Sequence, residues 1–443
     1  MIQYDKYKDS GIEWIGEIPE HWEVKRVATL GSFSKGKGIP RSDLKDEGYP
    51  AILYGDIYTK YNIKAEEIFN HINEETTHSS VIIEKNDLLF TGSGETKEDI
   101  GKCITYLGNQ IVYAGGDVII LIQKKCDSLF LSYSLNSNIS VFQKARMAKG
   151  QIIIHIYSSN IREIILSLPQ KEEQTAIANF LDRKTAEIDN LITKKEKLLK
   201  LYDEEKTAVI NQAVTKGVPR KDGRSSVSYK DSGIDWLGEI PEHWEVKKLK
   251  YVLNERMKYG ANESALYENR NDPRYIRITD FGNDGKLRNN TFKSLPPEVA
   301  KDYMLKQGDI LFARSGATVG KTFQFKDYNG MACFAGYLIK ASPNYEIIIS
   351  DFLYLFTKTS LYERWKESIF NQATIQNIGA DKYVYLNIPI PKTEEQTAIV
   401  KFIETELNRI NAKAEKTKKL IDLLVEYKQS LISEVVTGKL KVI

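Results

Sequence analysis

The sequence predicts a mixed α/β fold in which one unit is used twice. The two copies are joined by two long helices packed as an antiparallel coiled coil, and the whole has pseudo-two-fold symmetry. Three observations carry this reading. Residues 7–25 read YKDSGIEWIGEIPEHWEVK and residues 229–247 read YKDSGIDWLGEIPEHWEVK, with 17 of 19 positions identical at an offset of 222. The same offset returns EEQTAI from Glu172 at Glu394, DLLFTGSG from Asp87 as DILFARSG at Asp309, and Val214-Thr215 at Val436-Thr437. A register that constant marks a duplicated structural unit. Each copy also carries short strand-like runs, then helix-like runs, then a long amphipathic stretch.

At 443 residues the chain has room for about two to four domains. No run of eighteen apolar residues occurs and the opening MIQYDKYKDS lacks a signal-peptide profile, so a soluble cytoplasmic protein is expected, away from any membrane. Cys103, Cys126 and Cys333 are too few and too scattered for a disulfide framework or a zinc site. A net charge of +3 neither demands nor excludes nucleic acid, because acidic surface elsewhere can mask a basic groove.

The first unit, residues 1–170, contains strand-like PAILYGDIYT, DLLFTG and DVIILIQ and helix-like SLFLSYSLNSN. After Pro169 a helix over residues 171–216 carries apolar positions Ile177, Leu181, Ile188, Leu191, Leu198, Tyr202, Val209 and Ala213, mostly three, four or seven apart. Gly217 and Pro219 end it, and residues 217–228 read as a linker. The second unit, residues 229–392, contains RYIRITDF, DILFARS and YLIKAS as strands and SDFLYLFTKTSLYERWKES as helix. A second long helix, residues 393–443, comes after Pro391, with Thr393 and Gln396 in capping-box spacing and Ile399, Ile403, Ile410, Leu420, Leu424, Leu431 and Val435 along one face. Each helix is about 65 Å long at 1.5 Å per residue. Neither can bury its seam alone, so each is expected to pack on the other, antiparallel.

The search for chemistry excludes more than it finds. SGATVGKT, residues 315–322, is one residue short of a phosphate-cradling G-x-x-x-x-G-K-[ST] loop. Such a loop opens a helix, whereas the stretch from Thr322, TFQFKDYNGMACF, is strand-like. FTGSG at residues 90–94 mimics an S-adenosylmethionine-binding F-x-G-x-G loop, but its repeat partner reads FARSG and no N-P-P-[YF] loop exists. Both near-motifs fall on one repeated strand-turn. Four of the five tryptophans lie in the two opening motifs, beside His21 and His243, which argues for packing. His71, His78 and His155 lack partners at ligand spacing, and no nucleophile constellation is visible.

What remains is a set of side chains suited to nucleic acid. The turns offer Ser93, Gly94, Thr96, Lys97 and Lys102 in the first unit, and Arg314, Ser315, Gly316, Thr318 and Lys321 in the second. Hydroxyls, lysines and exposed N–H groups on a Gly-rich tip suit phosphate oxygens, the alternative being an ordinary tight turn. Lys35, Lys37 and Arg41 lie in a loop-like KGKGIPR, Tyr54 and Asp56 at the end of one strand, and Arg277, Thr279 and Asp280 at the end of its counterpart. Lys144, Arg146, Lys149 and Gln151 in one half match Asn371, Gln372, Thr374 and Gln376 in the other, side-chain types that reach base edges. The frames match but these interiors, residues 26–165 and 248–387, agree only in islands, through drift after duplication or because each reads a different ligand.

SGIEWIGEIPEHWEVKR, GKGIPRSDL, YGDIYTKY, GDILFARSGATVGK and PKTEEQTAI, in this order and with duplication, resemble the specificity subunit of type I restriction-modification systems. The resemblance covers essentially the whole chain. It implies two target recognition domains, each reading half of a bipartite double-stranded DNA sequence, and two long helices that set the spacing. It further implies two methylation subunits that bind S-adenosylmethionine and modify adenine, and restriction subunits that use ATP with Mg2+. No cofactor or catalytic residue is then expected on this chain, and the contact residues above rest on chemistry and position. A rival reading is an adaptor whose helices assemble proteins and whose interiors bind protein; a nucleotide-binding enzyme is the third.

Overall fold

The computed structural model describes residues 3–219, 228–282, 285–370 and 377–442. Its contacts divide the chain into two compact units, Met1–Glu196 with Lys418–Ile443, and Lys197–Thr417. The division differs from the expected one, in which the helices stand apart from the domains. Each unit consists of one α/β domain, the first half of the helix that follows it, and the last half of the other long helix.

In the first unit, five strands lie in the spatial order Gly31–Lys35, Val118–Gln123, Leu88–Thr91, Cys103–Tyr106, Lys64–Ala65, antiparallel except for the last pair. Leu88 to Phe90 and Cys103 to Tyr106 are buried on both faces, which is why the first run is continuously apolar and the second departs from that only at Thr105 and the Tyr106 hydroxyl, both hydrogen-bonded. A second sheet, Leu44–Lys45, Asn70–Ile72, Tyr49–Ile52, Val112–Ala114 and Val81–Ile83, packs its own core around Ile52, Ile83, Val112 and Ala114. PAILYGDIYT is not one strand: Tyr49–Ile52 is, and Tyr54–Thr59 is a helix. The Asp56 carboxylate accepts from the Leu53 N–H at 2.8 Å and caps that helix, so local capping overrides strand propensity.

The second unit repeats the frame with Lys258–Tyr259, Leu338–Ala341, Ile310–Ala313 and Thr322–Gln324 in one antiparallel sheet and a parallel pair, Arg274–Ile276 with Ala332–Phe334. The long helix-like run is two helices, Ser350–Phe356 and Ser360–Phe370. Thr359 breaks it, its hydroxyl accepting from the Tyr362 N–H at 3.3 Å.

Both domains close at a two-stranded neck. Glu23–Arg26 pairs with Ile165–Leu168, Arg26 opposite Ile165; Glu245–Lys248 pairs with Asn387–Ile390, Lys248 opposite Asn387. Each neck leads through a proline into a long helix, Lys171–Lys216 or Thr393–Val436. The second helix therefore stops short of the expected residue 443, and Gly438 turns the chain at φ 75°. Gln396 forms no capping box: buried, it donates to the Pro391 and Ile347 carbonyls and accepts from the Ile349 N–H, fixing the helix start to the domain. Gln174 does the same with Pro169 and Asp127.

The helices run antiparallel within each unit, Asp189 meeting Lys428 at 2.6 Å in the first and Glu205 meeting Arg409 at 2.8 Å in the second. Of the expected seam, Ile177, Leu181, Ile188, Ala213, Ile399, Ile403, Ile410, Leu431 and Val435 are buried. Leu191 and Leu420 are exposed, the seam passing through the adjacent Ile192. The helix end carrying Val435 and Val436 joins the core of Trp22 in the first unit, and Ala213 and Val214 join that of Trp244 in the second.

Candidate nucleic-acid interface

Each unit ends its central buried strand in a Gly-rich tip. In the second unit Ile310–Ala313 runs into a single 3-10 turn, Gly316–Thr318, and returns antiparallel as Thr322–Gln324. This is a β-hairpin, whereas a phosphate-cradling NTPase loop lies between a strand and a helix, so the geometry is not that of a nucleotide site. In the first unit Leu88–Thr91 likewise returns antiparallel as Cys103–Tyr106. Ser93–Gly94 also pairs with Ile154–His155, as Ser315 bridges Asn377 in the second unit, and the longer loop is held by Thr96 with Asp99 at 2.9 Å.

The first tip contains a cluster that the sequence did not reveal. Ser93 Oγ donates to Asp117 Oδ2 at 3.0 Å and meets His155 Nδ1 at 3.0 Å; Lys35 Nζ meets Asp117 Oδ1 at 3.1 Å. The hydroxyl has one proton, given to the carboxylate, so His155 donates through Nδ1. Burial raises the Asp117 carboxyl, but the hydrogen bonds from Lys35 and Ser93 outweigh it and hold the group below the usual range. Here the serine bridges the other two groups, whereas in a nucleophilic triad the imidazole stands in the middle. Lys149 and His155 exchange backbone hydrogen bonds of 3.0 and 2.7 Å, and beyond them a tight loop carries Gln151 and an Ile152 that is 90% exposed.

Several expected contact residues are committed elsewhere. Lys144 is a correction: it is fully buried, donating to the Gly101 carbonyl at 2.7 Å, and burial pushes it down to about 8. Lys102 donates to the Tyr61 carbonyl at 2.6 Å, with burial again lowering its pKa. Asp56 and Asp280 are buried caps, the former holding Asn70 and Lys60, the latter Arg277 at 3.1 Å. Arg277 also donates to Thr291, so it too is structural. Arg146 is exposed above the rings of Trp14 and Phe142.

Lys37, Tyr54, Thr96, Lys97, Lys149, Gln151, Thr279, Gly316 and Lys321 are exposed; Gly94, Ser315 and Thr318 are partly so. Asn371, Gln372, Thr374 and Gln376, and the side chain of Arg41, lie outside the described residues.

Beneath the second tip are two lysines that sequence reasoning missed. Lys366, 222 positions after Lys144, runs so close under Gly320 that a Cβ there would meet its Cδ at 2.2 Å. A Cβ at Gly101 would meet Lys144 Cδ at 2.9 Å, so the same lysine underlies both turns, and the repeat offset was the available signal. Lys358 donates to the Thr322 carbonyl at 3.0 Å; burial, and after it the charge of Lys321, push it down to about 8. Among the described residues no cluster of His, Cys, Asp and Glu is built to hold a metal ion, and no helix is long and apolar enough to cross a membrane.

The type I restriction modification DNA specificity domain matches the chain twice, over residues 19–201 and 241–421. The type I restriction enzyme MjaVIII specificity subunit of Methanocaldococcus jannaschii is 28% identical over 433 residues, spanning 96% of this chain and 94% of that one. Two solved structures share the fold. One is a chain from the assembly of a type I R-M system, with TM-score 0.66 and 16% identity over 96% of this chain and 99% of that one. The other is the HsdS subunit of Thermoanaerobacter tengcongensis, with TM-score 0.57 and 16% identity over 96% and 98%.

Proposed function

Since this chain belongs to the type I restriction modification DNA specificity family, we propose that it is the non-catalytic DNA-recognition subunit of such a complex. Each unit reads one half of a bipartite double-stranded target, and the helices set the spacer. The observation that carries this is one neck and one core strand, repeated at a fixed offset, ending in two chemically unlike tips. The first presents Lys35, Asp117 and His155 around Ser93, which is itself buried and so is not an exposed contact; the second presents Arg314 and Lys321. A repeated frame with different polar ends suits the recognition of two different short sequences.

The partners follow from the chemistry the chain does not carry. Methylation of adenine requires S-adenosylmethionine, and neither tip carries a complete sequence motif for it. That cofactor, ATP and Mg2+ are assigned to two methylation subunits and to restriction subunits. Leu191, Leu420, Leu423 and Val425 on the long helices are exposed, and apolar side chains in the middle of a charged helix suit docking of a protein subunit. The complex works in the cytoplasm, where its DNA is.

The test is co-expression with the cognate methylation subunit and genome-wide mapping of methylated adenines. A bipartite motif with a fixed spacer is expected. An adaptor would leave methylation without sequence preference.

A further inference from the structure

Arg314 differs from the other cations near the tips. Lys35, Lys102, Lys144, Lys358, Lys366 and Arg277 each hold a carboxylate or a backbone carbonyl. Arg314 does not: its buried Nε has no hydrogen-bond partner, and the guanidinium forms no ion pair among the described residues. Its neighbour is the ring of Tyr259, 5.1 Å from the guanidinium carbon.

The setting is rigid. Arg314 follows the fully buried strand Ile310–Ala313, its N–H donating to Tyr337 at 3.0 Å and its carbonyl accepting from Ile378 at 2.9 Å. Tyr259 is itself fixed, its hydroxyl accepting from the Ala380 N–H at 3.0 Å. A planar fork laid on an aromatic ring is held in one plane at low entropic cost, with its remaining donors unspent. The neighbouring Lys321, on the exposed turn, has the opposite character: a point charge on a flexible stem, suited to a phosphate.

The first unit has no counterpart. At the position 222 earlier stands Gly92, whose N–H donates to Asp117 at 2.7 Å, and a Cβ there would meet the Asp117 carbonyl at 3.0 Å. That backbone hydrogen bond is the one Arg314 makes to Tyr337, so the tips differ in the side chain carried on a shared backbone, with little room for a Cβ at Gly92.

We propose that Arg314 reads a guanine in the half-site of the second unit, donating both fork hydrogens to O6 and N7 in the major groove, the commonest base-specific contact of arginine. The proposal rests on the DNA-recognition reading. It makes the second half-site dependent on a G·C pair through a residue that the first unit lacks.

The experiment maps methylated motifs for the chain co-expressed with its methylation subunit, as wild type and as Arg314→Ala. The wild-type second half-site is expected to contain a fixed guanine. Arg314→Ala should relax that position, lowering preference for guanine about tenfold to a hundredfold, with every other position and the first half-site unchanged. A wild-type second half-site without any G·C pair overturns the assignment whether or not the variant folds. Uniform loss at all sites in a variant that still melts and co-purifies like wild type also overturns it, marking a phosphate contact. Wild-type methylation without any motif refutes the recognition reading itself, a result distinct from either.

Discussion

The indole N–H of Trp22 donates to Glu173 Oε1 at 3.2 Å, and that of Trp244 donates to Glu395 Oε1 at 3.2 Å. The other carboxylate oxygen takes His21 or His243 at 2.9 Å in the same way. The two most repeated sequence segments therefore meet each other: the opening motif seats the start of the long helix through one carboxylate. Trp22 and Trp244 are both fully buried. Trp22→Ala should cost about 3–5 kcal/mol and Glu173→Ala about 1–3 kcal/mol, with Trp244→Ala and Glu395→Ala matching them. Denaturant unfolding measures all four, and a milder effect in one copy would show that the two are not equivalent.

Lys144 gives a pH signature. Its folded pKa is lowered to about 8 by burial, Cys103 being the titratable group beside it, while an unfolded lysine titrates near about 10.4. Between those values the unfolded chain holds a proton that the folded chain has released, so this residue makes stability rise with pH across that window and leaves its full cost below it. Lys144→Met should remove this residue's share of the rise, while Lys358, also lowered to about 8, keeps its own. Melting temperatures of the two proteins at pH 7 and pH 10 check this: wild type should gain relative to the variant at the higher pH.

Much of this was legible in the sequence. The duplication, both long helices and the apolar strands at Leu88 and Ile310 were readable because each is a local pattern seen twice. The seam was misplaced at Leu191 because the adjacent Ile192 is also apolar, and one residue rotates a helix face by about 100°. Lys144 read as surface because its charge hides a buried role that only the Gly101 carbonyl explains. His155 has no partner at ligand spacing in the sequence, because strand pairing, not spacing, brings it to Ser93. Tyr259 carries no signal at all, its role coming from the ring's position under Arg314.

Lys321→Ala should weaken DNA binding by the assembled complex about equally for cognate and non-cognate duplexes. It should also flatten the salt dependence by about one unit, as loss of one phosphate contact does. Binding titrations at several salt concentrations measure both, and a loss confined to one sequence would make Lys321 a base reader.

The spacer should follow the helices. One heptad inserted between Leu191 and Leu198 and another between Lys413 and Leu420 keeps the apolar period and adds roughly 10 Å to each. At about 3.4 Å per base pair the spacer should grow by about three, with both half-sites unchanged. Methylation mapping reads this out, and an unchanged spacer in an assembled complex would remove the helices as the ruler.

The central claim is that each unit reads its own half-site, and the necks make it testable. Arg26 pairs with Ile165 and Lys248 with Asn387, so residues 26–165 and 248–387 are bounded by matched ladder partners and can be exchanged. Replacing the first interior with the second and mapping methylation in the presence of the methylation subunit is the most direct measurement. The account predicts an inverted repeat of the second half-site; continued methylation of the original asymmetric sequence by the assembled chimera would contradict it.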